Sequence, residues 1–353
     1  MCICGTRPEI IKLSPIIREC EKFGLDFFIL HTGQHYSYEM DGVFFEQLRL
    51  PKPKYNLKVG SGTHAEMTGK MLLGIEDVLS SEKPSIVLVE GDTDTALAGA
   101  LASAKIGIRV GHVEAGLRSY DRSMPEEINR VLADHCSDYL FAPTENAKRI
   151  LLGEGIPNDK VFVTGNTIVD AVRQNADLGH YDSEQAKNVV LKYMLATVHR
   201  QENVDSRERF SSIIAGLERV ADEFEMPVLY PIHPRARKRM SEFGLKVSDN
   251  IRISEPVDYL KMLWLEKWAR LILTDSGGLQ EEGCIIGTPC VTLRDNTERP
   301  ETIEVGANVL AGAMEDKILQ CAEAMVGKSG WSNPFGDGKA AERIIEIVRR
   351  ENG

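Results

Sequence analysis

Short apolar runs and longer periodic stretches alternate from one end of the chain to the other. Residues 2–4 are a short apolar start. From about Glu9 the apolar positions Ile10, Ile11, Leu13, Ile17 and Cys20 recur at helical spacing, and Gly24 marks a stop. Pro15 lies inside that helix and predicts a kink, because its ring clashes with the preceding turn. Residues 27–31 and 85–89 predict strands. The second leads into Gly91-Asp92-Thr93, a helix of small residues through Ala104, and a further strand at 109–113. The second half has the same grammar. Strands are predicted at 191–197, 228–232, 271–274 and 290–293, with a helix at 209–223. Asp275-Ser276-Gly277-Gly278 opens another helix, which ends at Gly287-Thr288-Pro289.

Repeated strand–helix–strand units imply mostly parallel sheets covered on both faces. One half reads strand, GDTDT, helix, strand, HVEAGLRS; the other reads strand, TDSGG, helix, strand, RDNTERP. The expected fold is therefore α/β, two doubly wound Rossmann-like domains facing a cleft, with function at the carboxyl ends of their strands. The chain length of 353 residues agrees with two domains. Apolar periodicity lapses between residues 166 and 183, which divides the chain into domains at 1–167 and 168–336.

Composition narrows the function classes. There are 42 basic and 53 acidic residues, a net charge of −11, which disfavours a nucleic-acid partner. An anionic small substrate then needs local cations to overcome the global repulsion. No apolar run approaches the roughly 18–20 residues of a membrane span, and residues 1–8 lack the features of a signal peptide. A cytoplasmic location with no membrane partner is expected. The seven cysteines, scattered and odd in number, read as buried reduced thiols.

Three sets of residues carry candidate chemistry. Gly5-Thr6-Arg7-Pro8-Glu9 follows the first strand, so Arg7, with Lys12 further along the helix, could meet phosphate oxygens. The alternative is an ordinary strand–helix turn with solvated cations. Ser276 suits an N-cap, and Gly277 and Gly278 let a ligand approach free N–H groups at a helix start, which favours a pyrophosphate. A carboxylate one turn on could accept ribose hydroxyls. Asp92, Glu114, Glu126 and Glu127 form an acidic set, in which neighbouring carboxyls could divide general acid and base work. Singly, each is better explained as a cap or salt-bridge partner, whereas as a cluster they favour function. His199 and His233 follow strands, and His199 suits a phosphate or leaving-group contact. No metal-binding spacing and no G-x-G-x-x-G fingerprint occurs, so neither a metal nor a dinucleotide cofactor is expected.

In order along the chain stand GTRPEIIK (5–12), VEGDTDT (89–95), GHVEAGLRS (111–119), MPEEINR (124–130), PTE (143–145), GNTIVDA (165–171), TVHRQEN (197–203), LTDSGGLQEE (273–282) and TERPE (297–301). Together they closely resemble the non-hydrolysing UDP-N-acetylglucosamine 2-epimerases over nearly the whole chain. The resemblance implies a glycosyltransferase-B fold whose terminal helix, about 337–353, returns to the first domain. It also implies a homodimer that interconverts UDP-GlcNAc and UDP-ManNAc without NAD or an obligatory metal. Matched residue by residue, Ser276, Gly277, Gly278 and Glu282 resemble the family's UDP contacts, joined by Arg7, His199 and Arg299. Lys12 resembles another substrate-cleft residue, and Asp92, Glu114 and Glu126 resemble the catalytic acids.

That family eliminates UDP to give 2-acetamidoglucal and adds it back on the other face. Elimination needs a carboxylate near carbon 2 and cations on the departing diphosphate, the role implied for His199 and Arg7. Three departures stand out. Only four residues precede Gly5, fewer than a full first strand needs. The family's regulatory Gln-His-x-Gln stretch reads Gln34-His35-Tyr36-Ser37, with Gly69 near the place of its arginine, which argues against activation by substrate. Met262 stands where an aromatic residue meets the base, and its pliable side chain can still pack on uracil. The alternatives are a hydrolysing 2-epimerase that releases ManNAc and UDP, a glycosyltransferase on the same fold, and a non-catalytic sugar-nucleotide sensor.

Overall fold

Cys2–Cys4 is only three residues long, yet it is fully buried and paired on both sides, to Ile29–His31 and to Ile86–Glu90. This strand lies in the interior of a parallel sheet, in a computed structural model that describes residues 1–33, 38–176 and 192–352. The chain divides into two compact units, Met1–Gln174 with Phe335–Gly353, and Asn175–Pro334.

The first unit holds seven strands: β1 Cys2–Cys4, β2 Ile29–His31, β3 Tyr55–Asn56, β4 Ile86–Glu90, β5 Arg109–Val113, β6 Tyr139–Ala142 and β7 Val161–Val163. Their order is β3-β2-β1-β4-β5-β6-β7, all parallel. The second unit holds β8 Met194–Thr197, β9 Val228–Pro231, β10 Ile251–Ser254, β11 Ile272–Thr274, β12 Cys290–Thr292 and β13 Asn308–Leu310. Their order is β10-β9-β8-β11-β12-β13, again parallel. In each sheet the winding reverses once, between β1 and β4 and between β8 and β11. A doubly wound sheet opens a crevice at such a switch point, because successive connections leave to opposite sides.

The first core packs Ile3, Leu30, Val87, Val89 and Val110 of the sheet against Met71 and Ile75 and a run of alanines from the Asp94–Lys105 helix. The second packs Met194, Ala196, Tyr230, Leu273 and Val291 against Phe210, Ile213 and Leu217 of the Arg207–Glu223 helix. The terminal helix Ala340–Asn352 belongs to the first unit. Its first turn is held by Asp170, whose carboxylate accepts from Ala340 N (3.2 Å) and Ala341 N (3.0 Å). A side-chain acceptor for otherwise orphaned N–H groups is what fixes a helix start.

Element ends differ from the sequence pattern where burial, rather than composition, decides. The second strand begins at Ile29, because Phe27 and Phe28 are only half-buried. The fourth runs one residue further than its apolar run, so the carboxylate of Glu90 ends inside the sheet. Pro15 does not end its helix, which is continuous over Arg7–Lys22. Proline leaves the carbonyl four residues earlier without a donor, and here the Ser14 hydroxyl donates to that Ile11 carbonyl at 2.7 Å. Among the described residues no helix is long and apolar enough to cross a membrane. Gln34-His35-Tyr36-Ser37 and Leu191 lie outside the described residues.

Candidate active site

The turn after β1 is built around one carboxylate. Glu9 Oε2 accepts from Gly5 N (2.9 Å), Thr6 N (2.7 Å) and Thr6 Oγ1 (2.8 Å). Its Oε1 accepts from Thr93 Oγ1 (2.6 Å), which ties this turn to the one after β4. Gly5 is required by close approach: a Cβ there would lie 2.1 Å from Thr32 Oγ1 and 2.3 Å from Thr95 Oγ1. Arg7, exposed on the first turn of the helix, has its guanidinium 5.3 Å from the Phe44 ring centroid.

Lys12 lies one turn deeper and is buried. Its ammonium donates to Glu114 Oε2 and stands 3.5 Å from Glu90 Oε1. Asn166 Nδ2 also donates to Glu114 Oε2, at 3.0 Å. Glu114 follows β5 with φ of +67°, a left-handed conformation that costs a non-glycine residue on the order of 1–3 kcal/mol. Two carboxyls and one ammonium in a buried space cannot all be charged cheaply. Burial pushes the Glu90 carboxyl well above its usual range; Lys12 lowers it only in part, and Glu114 raises it again. Of the two carboxyls Glu90 is thus the one that burial makes harder to ionise, while Glu114 has the closer contact with the Lys12 ammonium.

Asp92, half-buried just after β4, pairs with Arg130. Asn129 Nδ2 donates to the Asp92 carbonyl at 3.1 Å, so the MPEEINR helix start grips this turn twice. Glu126 is half-buried in the first turn of Pro125–Cys136. No hydrogen bond joins Glu126 to Asp92 or Glu114 among the described residues. Its neighbour Glu127 is taken up structurally, accepting from Ser119 N and Tyr120 N, each at 2.9 Å, and from Arg130 at 3.2 Å. The first unit thus gathers Lys12, Glu90, Glu114 and Asp92 at the ends of the adjacent strands β4 and β5, beside the turn that carries Arg7.

The second unit places its residues around its own switch point. His199, after β8, has Nδ1 3.0 Å from Asp275 Oδ1. Asp275, after β11, is fully buried and also accepts from the backbone N–H of His199 and Arg200 and from Asn203 Nδ2. Burial alone would raise its pKa, but the His199 bond and charge and these N–H donors hold it below the usual carboxylate range. Ser276 caps the helix Gly277–Ile286, its Oγ facing Leu279 N at 3.5 Å. A Cβ on Gly277 would meet nothing within 4 Å, and one on Gly278 only Ser276 Oγ at 3.8 Å. These glycines serve no internal packing and leave the helix start open.

Arg299 is buried, its Nε 2.6 Å from Glu281 Oε1. Glu282 is buried beside Glu266, whose carboxyl is pushed well above its usual range, first by burial and then by Glu282. Met262 is half-buried near Leu265 and Trp264. Arg294 grips Glu298 with two bonds of 2.9 Å. Burial works against the Glu298 charge, but Arg294 and then Arg299 outweigh it and hold the carboxyl down at about 2. A carboxylate depressed in the fold adds stability above its unfolded pKa and loses it as pH falls toward the folded value. Glu298→Gln should therefore destabilise the full chain by roughly 2–3 kcal/mol at pH 7. Against wild type in denaturant unfolding, the gap should close as pH falls from near 4.5 to about 2. A gap that is the same at pH 3 and pH 7 would contradict this account.

Sequence reasoning does not single out Glu90, Glu266, Glu281 or Asp275. The first would be found by asking where a strand-terminal carboxylate in VEGDTDT goes once β4 lies between β1 and β5. Among the described residues no cluster of three or more His, Cys, Asp or Glu is arranged to hold a metal ion.

The profile of the UDP-N-acetylglucosamine 2-epimerase family matches residues 18–349. The chain is 57% identical over 356 aligned positions to a UDP-N-acetylglucosamine 2-epimerase of Methanocaldococcus jannaschii, covering 98% of this chain and 97% of that protein. It is 42% identical to a UDP-2,3-diacetamido-2,3-dideoxy-D-glucuronate 2-epimerase of Pseudomonas aeruginosa, covering 99% and 98%. Its fold is similar to the crystal structure of the M. jannaschii UDP-GlcNAc 2-epimerase in complex with UDP-GlcNAc and UDP, with a TM-score of 0.92, 57% identity and 99% of each chain covered. The two parallel switch-point sheets, the ordered motifs and these likenesses agree, and the chain belongs to the UDP-N-acetylglucosamine 2-epimerase family.

Proposed function

We propose that this chain reversibly interconverts UDP-N-acetylglucosamine and UDP-N-acetylmannosamine by eliminating UDP to 2-acetamidoglucal and adding it back. The observation that carries this reading is the Lys12-anchored Glu114 beside Asp92, in a chain 57% identical along its length to an enzyme of that name. The proton on sugar carbon 2 is not acidic enough for direct inversion. In elimination it passes to a carboxylate, its bond pair becomes the double bond between carbons 1 and 2, and the pair of the carbon 1–oxygen bond leaves with UDP. Re-addition reverses each step with the proton delivered to the other face.

Asp92, Glu114 and Glu126 are assigned to proton handling. Lys12 holds Glu114 ionised and aimed, which lets a buried carboxylate act as a base. His199 stabilises the departing diphosphate. Its Nδ1 is engaged by Asp275, which leaves Nε2 for the phosphate oxygens. Arg7 and Arg299 add positive charge, and Ser276, Gly277 and Gly278 offer helix N–H groups. Glu282 accepts the ribose hydroxyls, and Met262 packs on uracil. The UDP-sugar is the only partner assigned besides a second copy of the chain: a homodimer, in the cytoplasm, using no cofactor or metal.

The test is incubation with UDP-GlcNAc in heavy water, followed by product NMR. UDP-ManNAc should form, and both sugar nucleotides should carry deuterium at carbon 2. Free ManNAc with UDP would favour the hydrolysing alternative. Folded protein that gives neither exchange nor UDP-ManNAc overturns the reading.

A further inference from the structure

The GHVEAGLRS motif contains a histidine that the reaction itself does not use. His112 is fully buried on β5. Its Nδ1 lies 2.6 Å from Asp134 Oδ1 and its Nε2 lies 2.8 Å from the Gly91 carbonyl oxygen. A carbonyl can only accept, so Nε2 carries a proton. Asp134 faces further donors: its Oδ2 accepts from Gly116 N at 3.2 Å and lies 2.7 Å from Arg118 Nη2. A carboxyl among so many donors is ionised, so Nδ1 donates as well and the ring is an imidazolium. Arg118 is in turn gripped by Glu154, with bonds of 2.8 and 2.6 Å. Within this chain of contacts His112 and Arg118 face Asp134 and Glu154, two cations against two anions, and His135 Nε2 lies 3.8 Å from Glu154 Oε2 at its outer edge; the balance makes a buried imidazolium tolerable.

The two ends of this network are at the reacting turns. Gly91 directly precedes Asp92, and Gly116 stands two residues after Glu114. Both glycines have positive φ, +73° and +85°, so neither turn is held by ordinary strand geometry. We propose that His112 is a positioning residue: an imidazolium fixed between Asp134 and the Gly91 carbonyl, it sets the spacing of the turns that carry Asp92 and Glu114. This rests on the epimerase reading, in which those two carboxyls handle the carbon 2 proton. Burial by itself would lower the ring's pKa and Arg118 opposes its charge, but Asp134 and the Gly91 carbonyl outweigh both and raise it above its ordinary value.

Two measurements on the full chain test the proposal. Nitrogen-15 NMR of wild type at neutral pH should show both His112 ring nitrogens protonated; a neutral ring overturns the proposal. As pH rises and that ring loses its proton, kcat should fall in step with it while UDP affinity holds; constant kcat across the titration also overturns it. His112→Gln should keep UDP affinity within about twofold and lower kcat about 10–100-fold, the scale expected when reacting groups are displaced by about an ångström. A folded variant with wild-type kcat overturns the positioning role. Deuterium uptake by wild type is scored separately: its absence removes the epimerase reading, whereas the NMR result reports on His112 alone.

Discussion

Asp92→Asn should reduce turnover about 100- to 10,000-fold while leaving UDP affinity nearly unchanged, the range over which a positioned acid–base group contributes. The amide keeps the size of the side chain and can neither take nor give the carbon 2 proton at any accessible pH. The fold tolerates the change. Asp92 is half-buried, Arg130 keeps Glu127 at 3.2 Å, and the Asn129 bond at position 92 is to the backbone carbonyl, which the substitution leaves in place. The proposed UDP contacts are mostly in the other unit, so binding and turnover separate. Steady-state product analysis gives kcat, and calorimetry gives the UDP affinity. A folded Asp92→Asn enzyme within a few-fold of wild-type kcat would remove Asp92 from the proton-handling set.

Lys12→Met should cost about 3–5 kcal/mol of stability, the penalty for stripping a buried charge of its partner. The methionine fills much of the lysine's space, so packing loss is secondary. Glu114 stays buried, with Asn166 Nδ2 donating to it at 3.0 Å and with Glu90, whose carboxyl burial pushes above its usual range, nearby. In the variant, the Glu114 pKa rises above its unfolded value. A carboxyl raised in the fold keeps its stability contribution at low pH and loses it as pH climbs through the folded pKa. The deficit relative to wild type should therefore be small in mild acid and grow toward neutral and alkaline pH. Adding Glu114→Gln to Lys12→Met should recover part of the loss, because the buried carboxylate that lost its ammonium is then replaced by a neutral amide. Denaturant unfolding of the four proteins in this cycle measures the coupling. A deficit that ignores both pH and the Glu114 substitution would show that Lys12 matters here through packing alone.

Much of the fold and of the site is legible in the sequence. The alternating periodicities announce two parallel α/β units. The positions of GTRPE, GDTDT, HVEAGLRS and TDSGG directly after strands place their polar residues at carboxyl ends. That logic is local: strand, turn and helix start are adjacent in sequence, and the chemistry of Gly, Ser, Thr and Pro at such turns restricts the backbone there. It is weaker wherever a neighbour supplies something. Pro15 predicts a break in its helix ladder, but the Ser14 hydroxyl replaces the lost donor. Arg7 and Lys12 look alike as cations on one helix, yet Arg7 is exposed and Lys12 is buried against carboxyls.

The sequence alone pointed to two parallel α/β units and to eight of the thirteen strands described, missing the short ones at 55–56, 139–142, 161–163, 251–254 and 308–310; it also determined which residue types crowd the strand ends and, through nine ordered motifs, the family. Tertiary structure alone decided how those residues share charge. Lys12 meets Glu114 across 102 positions, and His112 meets Asp134 and Gly91 across 22 and 21. These pairings exist because the sheet order sets β1 beside β4 and β4 beside β5. Strand order results from packing both faces of a sheet at once, and no local pattern encodes it. The upward shifts of Glu90 and His112 follow from that packing, because a buried charge is set by what lies within a few ångströms of it, not by what adjoins it in the chain.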